Sequence, residues 1–179
     1  MAIAFLNFFA SMSMTLTLPL FETNSNLGVG LYGIAMAINT FGMFLGFTFL
    51  SVFKIKRERQ FYMFIASGVI ASMTMITVSV FLNIYVISIM FFINGFWLAI
   101  MGSLLQLSMQ NSVPSNIRSK VFAFKNTLSY ALMPIAMVLA GILAEKIKIN
   151  AIIFWDYVAF LILFIYLSLV PSVKEIINA

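Results

Sequence analysis

Few side chains in this 179-residue sequence could do chemistry, and most of those are amides set in long apolar stretches. The sequence has no histidine and no cysteine, so it lacks the usual imidazole and thiolate ligands and the usual proton relay near neutral pH. No acidic pair has a spacing suited to acid–base catalysis, and no glycine-rich loop could cradle a phosphate. These residues argue against an enzyme and predict neither a metal site nor a cofactor.

Two amides, Asn39 and Asn94, lie near the middle of apolar stretches, where an amide without a hydrogen-bond partner is costly. They either line a substrate path or hydrogen-bond each other or a neighbouring helix, and the sequence leaves both interpretations open. The candidates for a substrate path are Asn39, Asn94, Gln106, Asn126 and Tyr130.

Small residues recur at helical spacing beside these amides, and Gly42 and Gly46 form a GxxxG pair on the same face as Asn39. Helices in lipid associate through such small residues, because apolar burial alone gives little driving force there. The candidates for helix packing or conformational change are Gly42, Gly46, Gly95, Gly102, Pro134 and Gly141.

Asp156 is the most notable charge inside an apolar stretch, at about 8 Å from its start. Its neighbours Trp155 and Tyr157 favour an aromatic belt at the outer membrane interface. The alternative is a buried acid that relays protons. With Asp156 at the interface, no carboxylate is expected near the bilayer midplane, and proton coupling is poorly provided for within this sequence.

Six long apolar stretches must position these residues. With 63% hydrophobic and 8% charged residues, and a mean hydropathy of +1.11, the sequence cannot coat a soluble globule. A helix of about 20 apolar residues crosses a bilayer, whereas barrel strands alternate over about ten residues. The expected spans are about 2–20, 29–53, 61–82, 84–107, 121–144 and 151–170. The sequence predicts an all-α membrane protein, with residues 1–179 as one domain in contact with the lipid bilayer.

Polar and small stripes occur mainly on the second, fourth and fifth spans. The third span has a weaker stripe, and the sixth is nearly uniform isoleucine, leucine, phenylalanine and valine after its first turns. We therefore expect the third and sixth spans to be peripheral, with the sixth the most exposed to lipid.

Basic residues concentrate on one side of the predicted bundle. The connections on that side and the tail hold Lys54, Lys56, Arg57, Arg59, Arg118, Lys120, Lys125 and Lys174. The other side holds only Lys146 and Lys148. The positive-inside rule then predicts that both termini are cytoplasmic. The charges are interpreted as topology anchors, and no nucleic-acid partner is expected.

The loop at residues 110–122 reads Q-N-S-V-P-S-N-I-R-S-K-V-F. It resembles a cytoplasmic loop in the second half of major facilitator superfamily exporters, which reads Q-x-x-V-P-x-x-x-R-G-R-V-F. Pro114, Arg118 and Lys120 carry the motif, and Ser119 and Lys120 replace the family's glycine and arginine. Residues 133–145 are similar to the family's eleventh helix, in its macrolide-efflux and siderophore-exporter-like branch.

Gly42 and Gly46, followed by the basic run at 54–59, are similar to the approach to the family's signature loop. The usual aspartate and glycine of that loop are absent here. The resemblance implies the C-terminal six-helix half of the major facilitator fold. In such exporters the proton-coupling acids often lie in the first half.

This resemblance implies efflux of small hydrophobic or amphipathic compounds across the plasma membrane by alternating access. Alternating access needs two halves, so an N-terminal six-helix half or a homodimer is the expected partner. Met1 lies directly at the start of a span, without the linker that usually joins the halves, which favours a split transporter, a truncated gene or a C-terminal fragment. The alternatives are a non-transporting interaction or immunity protein and a nonfunctional remnant.

Overall fold

Eight helices make up the computed structural model, which describes residues 2–178. They are α1 (Ala2–Thr23), α2 (Val29–Val52), α3 (Arg57–Val80), α4 (Ile84–Ser112), α5 (Arg118–Tyr130), α6 (Met133–Ala144), α7 (Ile149–Leu169) and α8 (Pro171–Ile177). Six segments are long and apolar enough to cross a membrane, counting α5 and α6 together as one. The prediction of an all-α membrane protein with six transmembrane segments is confirmed.

Several helices extend beyond the predicted spans. The third begins at Arg57, and the fourth continues to Ser112. At the start of α4, the side chain of Asn83 accepts a hydrogen bond of 2.9 Å from the N–H of Tyr85. Hydropathy marks only the part of a helix that matches the bilayer, whereas the backbone hydrogen bonds continue into the polar turns. This explains why the predicted spans omit the start of α3 and the end of α4, while the spans themselves stay a prediction.

The fifth span is interrupted, although the sequence was interpreted as one continuous helix. Pro134 has no N–H to donate to the carbonyl of Tyr130, and its ring crowds that carbonyl, so the helix breaks at 131–132. Pro134 then lies in the first turn of α6, where a missing N–H is tolerated. The new helix is established by a 3.0 Å bond from the N–H of Ala136 to the carbonyl of Leu132.

The packing pattern repeats between the two halves of the bundle. Helices α2 and α3 pack on α4, while the α5–α6 segment and α7 pack on α1. The two sets correspond when α1 is matched with α4, α2 with the α5–α6 segment, and α3 with α7. The α2–α4 contact then corresponds to the contact of the α5–α6 segment with α1, and the α3–α4 contact corresponds to the α7–α1 contact. The α3–α7 contact, which this matching maps onto itself, joins the two sets. Two three-helix repeats of inverted topology have this arrangement.

Aromatic side chains pack α3 against α7, and this contact connects the two sets of helices. The ring of Phe164 lies 5.5 Å from that of Phe64 and 5.1 Å from that of Phe160. Phe164 covers Gly68, where an added Cβ would overlap the ring. Within this bundle α2 and the α5–α6 segment are the least buried spans, while the peripheral position of the third and sixth spans stays a prediction for an assembled transporter.

The short helix α8 covers one end of the bundle, next to the ends of α3 and α4. The side-chain oxygen of Asn178 accepts a 3.0 Å hydrogen bond from the N–H of Phe61. The hydroxyl of Ser108 donates to the carbonyl of Ile176, and Ile177 is buried. The tail was predicted only as a site of basic charge, because seven residues are too few for a hydropathy signal.

Candidate functional site

The contact between α2 and α4 is built on glycines. A Cβ added to Gly42 would overlap the carbonyl oxygen of Phe92, and one added to Gly95 would overlap the carbonyl oxygen of Asn39. Gly46 lies one turn further along α2 and is equally confined. The obstructing atoms belong mainly to the backbone and cannot rotate away. The two helices therefore touch backbone to backbone along this face.

Asn94 is a buried connection among α2, α3 and α4. Its amide group donates to the carbonyl of Ala71 at 3.1 Å and to the hydroxyl of Thr74 at 3.2 Å. Its oxygen accepts from Asn39 at 3.4 Å, and Asn39 also donates to the carbonyl of Phe91 at 2.9 Å. Both amide hydrogens of Asn94 are used, and the residue is only 4% exposed. Asn39 and Asn94 thus hydrogen-bond each other and neighbouring helices, which was one of the two interpretations left open by the sequence.

A groove opens between α4 and α5, which follow each other in sequence but do not pack closely within residues 2–178. It is a cavity of about 430 Å³, lined by Gln106, Gln110, Arg118, Ser119 and Phe122. Both glutamine side chains are exposed, and we call this surface the α4–α5 groove.

The polar lining continues along both helices. Asn126 and Tyr130 follow Phe122 at intervals of four, which places them on the same face of α5, and both are exposed. Gly102 lies one turn before Gln106 on α4, with nothing within 4 Å of an added Cβ. The candidates Gln106, Asn126 and Tyr130 therefore lie on one open surface, apart from Asn94.

The loop motif fastens the end of α4 to the start of α5. The guanidinium of Arg118 donates twice to the carbonyl of Val113, from Nε at 3.3 Å and from Nη2 at 3.2 Å. The carbonyl of Pro114 accepts from the N–H of Ile117 at 3.3 Å, while Lys120 is exposed. These bonds hold the two helices together at the mouth of the α4–α5 groove.

The remaining helix-packing candidates have different surroundings. Gly141 on α6, like Gly102 on α4, has open space where a Cβ would project. The structure therefore places neither glycine against another helix, and Pro134 acts through the interruption before α6. Sequence spacing identifies a small residue, but only the tertiary packing shows whether a neighbour occupies the space beside it.

Asp156 is buried, not interfacial. Only 5% of it is exposed, and its Oδ2 accepts a hydrogen bond from the hydroxyl of Ser13. Ser13 precedes the end of α1 at Thr23 by ten residues, or about 15 Å, so this contact lies near the middle of α1. The predicted aromatic belt is also divided, since Trp155 is 68% exposed and Tyr157 only 9% exposed. A carboxylate therefore lies deep in the bundle, contrary to expectation.

The signal that the sequence analysis missed is on α1. Ser11, Ser13 and Thr17 are all buried, and they form a run of hydroxyls in the middle of α1. A hydroxyl-rich segment in one span is a reason to look for a polar partner in another. In the described part of the chain, no three acidic side chains come together to hold a metal ion.

Comparison with known proteins agrees with this architecture. A family model described as Major Facilitator Superfamily matches residues 1–137, which include the α2–α4 contact and the α4–α5 groove. No curated protein and no solved structure matches the chain. Six spans in two three-helix repeats are the organisation expected of half a transporter in this superfamily. The chain belongs to the major facilitator superfamily, a family of membrane transporters.

Proposed function

We propose that the chain is one six-helix half of a transporter that exports small hydrophobic or amphipathic compounds by alternating access. The observation that carries this proposal is the open surface that runs from the α4–α5 groove along both helices, where the amides of Gln106 and Asn126 are exposed within the predicted spans 84–107 and 121–144. An exposed amide facing lipid hydrocarbon would lack hydrogen-bond partners, which is costly. Water, a substrate or a second protein unit must therefore cover this surface.

The second unit follows from the mechanism of the family. Alternating access moves two six-helix bundles about a site between them, and this bundle supplies one wall. We propose that the other wall is an N-terminal six-helix half or a second copy of this chain. The exposed faces of α2 and the α5–α6 segment, the least buried spans, favour a large partner surface.

The lining of the groove supports the substrate class. Phe122 and Tyr130 supply aromatic surface, Gln106 and Asn126 supply hydrogen-bonding groups, and Arg118 lies at the mouth. A groove that combines aromatic surface with several hydrogen-bonding groups suits an amphipathic molecule. The resemblance of residues 110–145 to macrolide-efflux and siderophore-exporter-like proteins supports export as the direction.

The proposed orientation places both termini in the cytoplasm at the plasma membrane. At one end of the bundle, Lys54 is exposed before α3, Arg59 in the first turn of α3, and Arg118 and Lys120 in the first turn of α5; Lys174 of α8 is exposed at the same end. This charge asymmetry supports a cytoplasmic location for that end.

The half-transporter proposal is tested by reconstituting the chain in liposomes at increasing protein-to-lipid ratio. Flux of a lipophilic fluorescent dye and the state of association, from cross-linking, are measured together. Flux is expected only from samples that contain a pair of six-helix units. Dye movement by the isolated monomer would overturn the proposal, and a cellular phenotype without flux would favour the interaction-protein alternative.

Replacing Asn126 by leucine is expected to reduce dye flux of the assembled transporter about tenfold, the equivalent of one hydrogen bond of about 1.4 kcal/mol. The side chain is exposed, so thermal stability should be unchanged. Ser168→Ala is the matched control, because Ser168 is exposed on α7 and donates 2.6 Å to the carbonyl of Ile165 in its own helix. Equal flux in the two variants would remove Asn126 from the substrate path.

A further inference from the structure

The carboxyl group of Asp156 is only half satisfied. Its Oδ2 accepts from Ser13, but its Oδ1 is buried and has no hydrogen-bond partner among the described residues. A buried anionic oxygen without a donor or a cation costs several kcal/mol in a low-dielectric interior. The charge of this carboxyl group must therefore be compensated or removed.

The chain offers no basic side chain for this role. Helices α1, α6 and α7 contain no lysine or arginine. Two contacts fix the register of α3 against α7. The side chain of Asn150 on α7 donates to the carbonyl of Ser79 on α3, and Phe164 on α7 packs on Gly68 of α3. Asp156 lies between these two levels, so the basic residues at the start of α3 are about 20 Å away along the helix.

Asp156 accepts a hydrogen bond from the hydroxyl of Ser13 on α1, and its neighbour in sequence is the buried Tyr157. Among the other charged and titratable groups on the packed elements and their connections, Tyr130 is exposed at the end of α5, in the middle of the fifth span. The rest lie toward the ends of the bundle: Glu22, Lys54, Lys56, Arg57, Glu58, Arg59, Tyr62, Arg118, Lys120, Lys125, Glu145, Lys146, Lys148, Tyr166, Lys174 and Glu175. The site is thus an isolated acid with hydroxyl neighbours.

We propose that Asp156 and Ser13 form a binding site for a small cation, a proton or Na⁺, at the contact between α1 and α7. A proton would form an O–H bond with the carboxylate and cancel its charge. A sodium ion would take the Oδ1 oxygen as a ligand, together with nearby hydroxyl oxygens, which are the hard ligands that such ions prefer. Either cation supplies what Oδ1 lacks.

Occupancy of this site would control one specific contact. Helix α1 begins the first three-helix repeat and α7 ends the second, so a cation between them stabilises the α1–α7 contact, which is separate from the α3–α7 contact. An empty, ionised site would favour entry of water and separation of α1 from α7. The inference goes beyond the proposed function, because cation binding is measured on the chain whether or not it transports.

The test uses the full chain in detergent and two probes. Infrared difference spectra between acidic and alkaline buffers detect a protonated carboxylic acid by its carbonyl stretch. Thermal unfolding in NaCl, compared with equimolar choline chloride, detects Na⁺. For wild type we expect either a pH-dependent acid band, which identifies the cation as a proton, or a Na⁺-dependent rise in melting temperature, which identifies it as Na⁺.

The difference between wild type and Asp156→Asn isolates the component of the acid band that belongs to Asp156. Asp156→Asn should remove that component or abolish the Na⁺ effect, whereas Glu22→Gln, which changes an exposed carboxyl at the end of α1, should leave both intact. Should Asp156→Asn not fold, Ser13→Ala gives a second measurement, because loss of its hydrogen bond should shift the acid band or weaken the Na⁺ effect. Wild type that responds to neither cation, or a response that persists in Asp156→Asn or is unaltered in Ser13→Ala, overturns the proposal.

Discussion

Replacing Gly95 by alanine is expected to destabilise the bundle by about 2–3 kcal/mol, the upper part of the range for overpacking a well-packed interior. The added Cβ would overlap the carbonyl oxygen of Asn39, which belongs to the backbone of α2. The helices can accommodate the methyl group only by separating along the whole α2–α4 contact. A large fall in melting temperature, with reduced yield of folded chain, is the expected measurement.

Gly102→Ala is the matched control, because Gly102 lies seven residues later on the same helix and has nothing within 4 Å of an added Cβ. Alanine has the higher helix propensity, by up to about 1 kcal/mol, so this variant should be as stable as wild type or slightly more stable. If the two substitutions changed the melting temperature equally, the backbone contact between α2 and α4 would be contradicted.

Replacing Asn94 by leucine is expected to cost about 2 kcal/mol, since buried polar contacts between membrane helices contribute about 0.6–2 kcal/mol each. The substitution removes both donations to α3 and the acceptor for Asn39. Thr74 and Asn39 would each lose a partner within the bundle. Chemical unfolding in detergent, before and after the substitution, measures the change.

Asn126→Leu is the control for this substitution, because it makes the same chemical change at an exposed position of α5. We expect opposite patterns: Asn94→Leu lowers stability, whereas Asn126→Leu lowers flux. A double-mutant cycle with Thr74→Val separates the pair from the rest of the cluster. Additive effects of Asn94→Leu and Thr74→Val would show that the 3.2 Å contact contributes nothing.

Local patterns account for what could be predicted from the sequence. The six spans and the all-α membrane class follow from the length and hydropathy of continuous segments, and membership of the major facilitator superfamily agrees with the resemblance found in the loop at 110–122. The spacing of Gly42 and Gly46 likewise identifies a face of α2 from that helix alone. These features depend on residues close together in sequence.

Contacts between distant segments account for what could not be predicted. Asp156 and Ser13 are 143 residues apart, so no local pattern reveals that the acid is buried against a hydroxyl. The burial of α3 and α7 was missed because lipid and helix neighbours select the same apolar side chains. The break before Pro134 is different, since proline is visible in the sequence but a kinked and a broken helix share that signal.

The hydroxyls of α1 also bear on how the chain assembles. This helix packs mainly on α5, α6 and α7, so it is synthesised long before its partners, whereas the α2–α4 contact forms early. In the folded chain Thr15 and Thr17 each donate 2.8 Å to the carbonyl one turn earlier in α1. Such bonds need no other helix. They keep the hydroxyls of Thr15 and Thr17 hydrogen-bonded in the bilayer before α7 is inserted. The hydroxyl of Ser13 gains its partner Asp156 only when α7, the last long helix of the bundle, has been synthesised.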